Sequence, residues 1–381
     1  MGTRGRPSRW KQFEREFLAG LTDEKRQWLE REIGPEGPVQ LPDLLELSRD
    51  DLLTMFPGPP VKDGPSRRRS LNDRRMIRAL AWQLAMRISS GTLPPLDGNM
   101  RTGWYKFVEP FYLEKELLDS DIGPELDPLE ILLPDEALGA LEEAEHVARA
   151  LGLEGTDWLK VLEKRAGSLS RAARERYITN TMSEAFDDLY LAGVLDFEDH
   201  FGFIDPGESR YYIGRKKTGK LLATEKLGLT VLARRMGERH EISWYVSNGE
   251  PSLLGLSFAG KKLKKRVSSL DIGTVTDYDP FGYSIARSFP EKLTAPGLFG
   301  QGRVKHVRLT GSEALMRRLF TPPELERAKR DLKRYHRFKQ KQIDEWMGIT
   351  GGVGGQPFGV HIDLADLKKL EALIEDWVLD R

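Results

Sequence analysis

The sequence predicts an α/β protein in which a winged-helix-like helical region precedes a Rossmann-like parallel sheet. From residue 219 onward, short apolar runs alternate with helix-length stretches, the rhythm of strands joined by crossover helices. Upstream, apolar residues recur at helical spacing, and Gly or Pro closes each run. Pro/Gly clusters at 57–65, 91–98 and 348–357 punctuate the chain, with no internal repeat or low-complexity tract between them.

Taken in order, residues 1–66 read as an N-terminal helical extension, with Trp10, Phe13, Phe17 and Leu21 at helical spacing. Asn72 is the expected N-cap of a helix running through Met76, Ile77, Leu80, Leu84 and Ile88 and stopping at Gly91. A second short helix is expected from near Asn99 to before Pro110. Helix, turn, helix with a basic lead-in suggests a helix-turn-helix or winged-helix module over 67–213, a pattern that bundles share. Residues 134–164 and 168–193 read as further helices, with short strands around 194–213. The sheet region, 214–381, opens with LLAT (221–224) and a helix to about 239. ISWYVS (242–247) and a helix over 252–266 follow, then DIGTVT (271–276), a helix over 281–292 and VKHVRLT (304–310).

The chain has 381 residues, enough for two or three domains, and carries 59 Lys+Arg against 59 Asp+Glu with no cysteine. Lack of cysteine excludes disulfide frameworks, thiol catalysis and Cys-based zinc sites. No apolar run approaches the ~18–20 residues of a membrane span, and the basic N-terminus lacks a signal-peptide apolar region. A soluble, cytoplasmic protein is expected. The charge is unevenly spread. Residues 62–78 hold seven basic side chains against two acidic, 261–266 hold five in six, 321–341 hold eight against three, and 111–160 hold three basic against fourteen acidic. Singly, such blocks are solvated faces.

In parallel sheets ligands bind at the carboxyl ends of strands. Glu225 follows the first strand; Asp277 and Asp279 follow the third. Read separately, Glu225 caps its helix and Asp277 opens an Asx-turn. Read together, three converging carboxylates need a cation, and hard oxygen ligands suit Mg²⁺.

Glu225-Lys226 after the first strand, Gly249-Glu250-Pro251 after the second and Asp277-Tyr278-Asp279-Pro280-Phe281-Gly282 after the third resemble the Toprim domain of the topoisomerase VI A subunit family. That family includes the transesterase that makes meiotic double-strand breaks. The resemblance covers roughly residues 67–295 and implies a winged-helix domain whose catalytic tyrosine follows an arginine by four residues. Arg101-Thr102-Gly103-Trp104-Tyr105 supplies such a pair. It implies Tyr105 as nucleophile, Arg101 as its phosphate-binding partner, Mg²⁺ on Glu225, Asp277 and Asp279, and double-stranded DNA as substrate. It further implies a homodimer in which tyrosine and metal site come from different protomers, and 5′-phosphotyrosyl ends. The chemistry fits these residue types: a phenol can exchange one phosphoester for another, and a guanidinium one helical turn away can hold the phosphate. Trp104 and Tyr105 could instead fill a core with Phe107 and Phe111. Tyr177, three residues after Arg174, is the alternative nucleophile.

Three other motifs fall away. Gly214 through Lys220 (GRKKTGK) has Leu221 where a phosphate-binding loop needs Ser or Thr, and it precedes a strand. The acidic loop at 277–282 has Ser288 where a calcium loop needs Glu. His361 and Asp363 read as part of a late strand of the sheet. The acidic segment 111–160 departs from the family pattern as an insertion, and residues 1–66 carry no recognisable partner-binding motif. No ATPase motif is present, so any strand passage needs a separate B-type subunit, and the chain resembles the compact A-like proteins found without an obvious B subunit. Two further functions compete: a Toprim nuclease that hydrolyses DNA, as in plasmid defence, and a catalytically silent DNA-binding protein.

Overall fold

The computed structural model describes residues 8–33, 37–58, 71–118, 156–205, 207, 210–215, 218–300, 302–334 and 338–380. The chain divides into two compact units, Met1–Ile204 and Asp205–Arg381, and the whole is mixed α/β with a five-stranded mixed sheet. Among the described residues no helix is long and apolar enough to cross a membrane.

The first unit is built from α1 (Arg9–Gly20), α2 (Asp23–Ile33), α3 (Gly37–Gln40), α4 (Arg49–Met55), α5 (Asp73–Ser89), α6 (Met100–Gly103), α7 (Glu109–Glu114), α8 (Thr156–Leu191) and α9 (Phe197–Phe201). Its centre is α5. Asn72 caps it by accepting from the Arg75 amide at 3.2 Å, and every residue from Met76 to Met86 is buried. A helix apolar on all sides must be wrapped by others, and α1, α2, α8 and α9 pack against it. The amino-terminal helices are therefore part of this core: Trp10 and Leu18 are buried, and the buried Glu14 accepts from Trp82 Nε1 at 2.7 Å.

Three features differ from the sequence expectation. Helix α8 runs unbroken from Thr156 to Leu191, with no interruption between 164 and 168. Of the stretch read as short strands, Tyr211–Tyr212 is a strand, but between 194 and 205 the chain forms α9, where Asp196 accepts from the Glu198 and Asp199 amides and Gly202 closes the helix at φ 67°; a Gly98–Phe203 bridge is the extended contact there. The short helix at Asn99 continues past Pro110 to Glu114 by way of a π-helical turn, Trp104–Val108. Within the acidic segment, 119–155 lies outside the described residues, as do the basic residues 62–70. Phe111, Tyr112, Leu117 and Leu118, at the start of that segment, are core residues.

The second unit contains β1 (Tyr211–Tyr212), β2 (Lys220–Thr224), α10 (Thr230–His240), β3 (Ser243–Val246), α11 (Leu253–Lys264), β4 (Leu270–Val275), α12 (Pro280–Thr294), β5 (Val304–Arg308), α13 (Glu313–Leu319), α14 (Pro322–Ala328), β6 (Lys329–Asp331), α15 (Gln340–Thr350), β7 (Phe358–Val360) and α16 (Leu367–Val378). The sheet order is β1-β3-β2-β4-β5, with β1 antiparallel and the other four mutually parallel. β2 and β3 are buried along their whole length, which explains their near-continuous apolar sequence. Successive residues of β3 serve opposite faces. Trp244 joins the cluster formed with α10 and α16, while the Tyr245 ring meets Phe289 of α12 edge-on at 5.7 Å. Gly273 on β4 leaves room for Trp377, whose ring atoms would stand 2.9 Å from a β-carbon there. The late strand read around His361 is real but pairs elsewhere: β7 lies antiparallel to β6 in a separate two-stranded sheet.

From β2 the chain crosses to β3 on one side and then returns past β2 to β4 on the other. The direction of winding therefore reverses between β2 and β4. At such a switch point the loops part, and a crevice opens at the carboxyl ends of the strands.

Candidate functional site

The carboxylates predicted from the sequence gather at this switch point. Glu225 follows β2 directly, and its amide continues the ladder to Val275 O at 3.0 Å. Its Oε2 accepts from the Asp277 amide at 3.1 Å, tying the ends of β2 and β4 together. Asp277 is held from three directions. Oδ1 accepts from the Ile362 amide at 2.9 Å, while Oδ2 faces His361 Nδ1 at 3.0 Å and Lys226 Nζ at 2.8 Å. The same ammonium lies 3.2 Å from Glu225 Oε1. Asp279 caps α12 by accepting from the Gly282 amide at 2.7 Å, with Pro280 in the first turn. Gly282 is required by close approach, since a β-carbon there would stand 2.0 Å from Asp277 O. The Asp-Tyr-Asp-Pro-Phe-Gly motif is thus one turn that aims two carboxylates and starts a helix.

His361 reaches Asp277 through the glycine-rich turn. Gly351, Gly352, Gly354 and Gly355 all have positive φ, a conformation open to glycine. The turn returns the chain as β7, whose Val360 exchanges both backbone hydrogen bonds with Tyr278, at 2.9 and 3.0 Å. The Tyr278 hydroxyl in turn donates to Gly352 O at 3.0 Å. The sequence places His361 on a late strand and gives it no role at the site. Its contact with Asp277 comes from strand pairing across 84 residues, for which only the glycine cluster gave a sign.

Electrostatics mark the cluster as strained. Burial raises the Glu225 carboxyl above its ordinary value, and the Asp277 charge adds to the shift. Burial likewise pushes Asp279 up to about 6, reinforced by the charges of Asp277 and Glu225 against the Gly282 hydrogen bond. Burial works against the Lys226 charge, yet Asp277 and Glu225 hold its ammonium above the ordinary lysine value. Like charges packed this closely raise one another's pKa unless a cation intervenes. A cavity of about 130 Å³ lies over the group, lined by all three carboxylates, Lys226 and His361 and walled by Phe281, Phe338 and Arg330. Three carboxylates form an all-oxygen donor set of the kind Mg²⁺ takes. Among the described residues, no group of three or more His, Cys, Asp or Glu side chains is placed to hold a metal ion. The donor chemistry fits a hard divalent cation, and Lys226 stands within it.

Arg101 and Tyr105 belong to the first unit. Asn99 caps α6 by accepting from the Arg101 and Thr102 amides at 2.9 and 3.2 Å. The π-helical turn that follows buries Trp104 and Val108 and leaves Tyr105 51% exposed. Such turns widen the helix by one residue and recur at functional sites. Arg101 donates to the Tyr105 hydroxyl from Nε at 3.3 Å and from Nη2 at 3.1 Å. Of the aromatic residues read as possible core, Trp104 and Phe111 are buried and Tyr105 is not. Tyr177 is placed differently. Its neighbour Arg174 donates from Nη1 and Nη2 to the buried Asp73 at 2.7 and 3.0 Å, and burial raises the Tyr177 hydroxyl above its ordinary value, Asp73 adding to the shift.

No protein-family model, no curated protein and no solved structure matches this chain.

Proposed function

We propose that this chain cleaves double-stranded DNA by tyrosine transesterification, in the manner of a topoisomerase VI A-type enzyme. On this reading the first unit is a winged-helix domain presenting Tyr105, and the second is a Toprim domain holding Mg²⁺. The observation that carries the reading is the convergence of Glu225, Asp277 and Asp279 on the β2–β4 switch point. The exposed Arg101–Tyr105 pair adds a nucleophile with a phosphate-binding partner already on its oxygen.

In the reaction, Tyr105 Oη forms a bond to phosphorus as the bond to the 3′ oxygen breaks. The phenol proton leaves, the 3′ oxygen gains one, and a 5′-phosphotyrosyl linkage remains. Arg101 holds the non-bridging oxygens and offsets the charge that develops on them. Glu225, Asp277 and Asp279 would hold the cation, which when bound supplies Lewis-acid stabilisation of the neighbouring phosphate and departing oxygen. Function as a homodimer, with an ATPase B-type subunit where strand passage is required, completes the proposal.

The test is incubation of the full chain with supercoiled plasmid and Mg²⁺, stopped with denaturant and split with and without protease. A protein-linked double-strand break is expected, absent in Tyr105→Phe and Glu225→Ala and retained in Tyr177→Phe. Cleavage without an adduct in Tyr105→Phe would instead assign hydrolysis to the second unit alone, the nuclease alternative. Absence of Mg²⁺-dependent cutting leaves a catalytically silent DNA-binding protein.

A further inference from the structure

The carboxylates at the β2–β4 edge already have a cation, and it belongs to the chain. Lys226 Nζ stands 2.8 Å from Asp277 and 3.2 Å from Glu225, with both carboxylates nine-tenths or more buried. Two such groups without a counter-charge would repel and bear their full desolvation cost, so the ammonium stabilises the fold without metal. It also stands where a shared cation would have to sit. The partners differ in freedom. Asp277 is fixed by the Ile362 amide and His361, and Glu225 by the Asp277 amide. Lys226 is one-quarter exposed and sits on a four-carbon stem, so it can swing away with no backbone change.

We propose that Lys226 is the resident counter-cation of this cluster and that a divalent cation binds by displacing its ammonium from Asp277 and Glu225. The inference rests on the divalent-cation site proposed above and adds what must leave it.

The experiment is lysine acetylation of the full chain with and without Mg²⁺, read residue by residue by peptide mass spectrometry. Thermal unfolding of the same samples reports whether Mg²⁺ binds. Mg²⁺ is expected to raise labelling of Lys226 several-fold and to leave Lys220, paired with Asp271 at the other end of β2, unchanged. Calorimetry on Lys226→Met is expected to show Mg²⁺ affinity increased about tenfold. Mg²⁺ that stabilises the wild-type chain while Lys226 labelling stays level or falls overturns the displacement and leaves the cation site standing. If Mg²⁺ binds neither wild-type chain nor variant, the cation site and the displacement both fall. The labelling measurement decides the matter on the wild-type chain should the variant fail to fold.

Discussion

Tyr105 is a phenol held at the surface with a guanidinium on its oxygen, a placement that packing alone does not explain. Truncating Arg101 should therefore separate chemistry from stability. Arg101→Ala removes both donors to the hydroxyl and is expected to lower adduct formation by about 10²-fold, the usual loss for one charge-stabilising donor. Both side chains are exposed, so the unfolding midpoint should stay where it is. A fall in midpoint matching the loss of adduct would make Arg101 a structural residue. His306 on β5 gives a residue-level prediction in pH. Burial lowers its imidazole from 6.5 to about 4, with Arg308 adding to the shift, and its Nε2 meets Thr274 Oγ1 at 3.0 Å. Between those values the unfolded chain takes up a proton that the folded chain refuses. Its contribution to stability is thus present above pH 6.5 and is lost as pH falls toward about 4. Asp279 acts in the opposite sense: its raised carboxyl favours the folded state in acid, an effect that fades as pH rises through about 6. Comparing wild type with His306→Gln isolates the histidine. Urea unfolding of the variant should lose less stability on acidification, by on the order of 1–2 kcal/mol after allowance for the ring's partial exposure.

Helices α5, α7 and α8 meet at one buried ion pair. Arg174 of α8 donates to both oxygens of Asp73 on α5, and the Tyr112 hydroxyl of α7 donates to the same carboxylate at 2.8 Å. Arg174→Met leaves Asp73 charged and unpaired in the core, and the expected cost is about 3–5 kcal/mol. Adding Asp73→Asn should restore much of that loss in a double-mutant cycle by urea unfolding, because the stranded charge is then gone. Two additive losses would mean that the pair is not coupled. Arg174 also shows the limit of what periodicity conveys: Arg-x-x-Tyr on a helix suggested a nucleophile, whereas the arginine is committed to a partner 101 residues away. The β/α units were legible from 219 onward because buried parallel strands are apolar and short, and their helices begin at Asp279 and Ser252 with capping side chains. The continuity of α8 was not, because Gly167 and its neighbouring serines weaken a helix locally while propagation across 36 residues carries it through. The π-helical turn at Trp104–Val108 was also hidden. It lets Pro110 begin a new helical segment where proline usually ends one. At the site, strand order made Glu225, Asp277 and Asp279 readable. The grip of Lys226 and the arrival of His361 depend on a rotamer and on the pairing of Val360 with Tyr278, and neither leaves a local pattern.

At the scale of the whole molecule, zero net charge conceals a division. Residues 119–155 carry eleven acidic side chains and one basic, so the remainder of the chain has ten more basic groups than acidic. A polyanionic partner responds to that remainder, and the acidic stretch opposes it within about a Debye length, roughly 10 Å at 0.1 M salt. The structure also limits how the stretch can be removed. Phe111, Tyr112, Leu117 and Leu118 are buried, and Tyr112 is tied to Asp73, so a deletion starting at 111 would damage the core of the first unit. Replacing 119–155 with a short Gly/Ser linker spares those residues and α8. The shortened chain is expected to bind a duplex several-fold more tightly at low salt, with the advantage over wild type vanishing as added salt screens both. Fluorescence anisotropy across a salt series measures this directly. Equal affinity at every salt concentration would mean that the acidic stretch lies beyond screening distance of bound DNA and only balances the net charge. A constant gain at every salt concentration would point to steric occlusion rather than charge. Only a gain that disappears with screening makes this segment an electrostatic regulator of DNA binding.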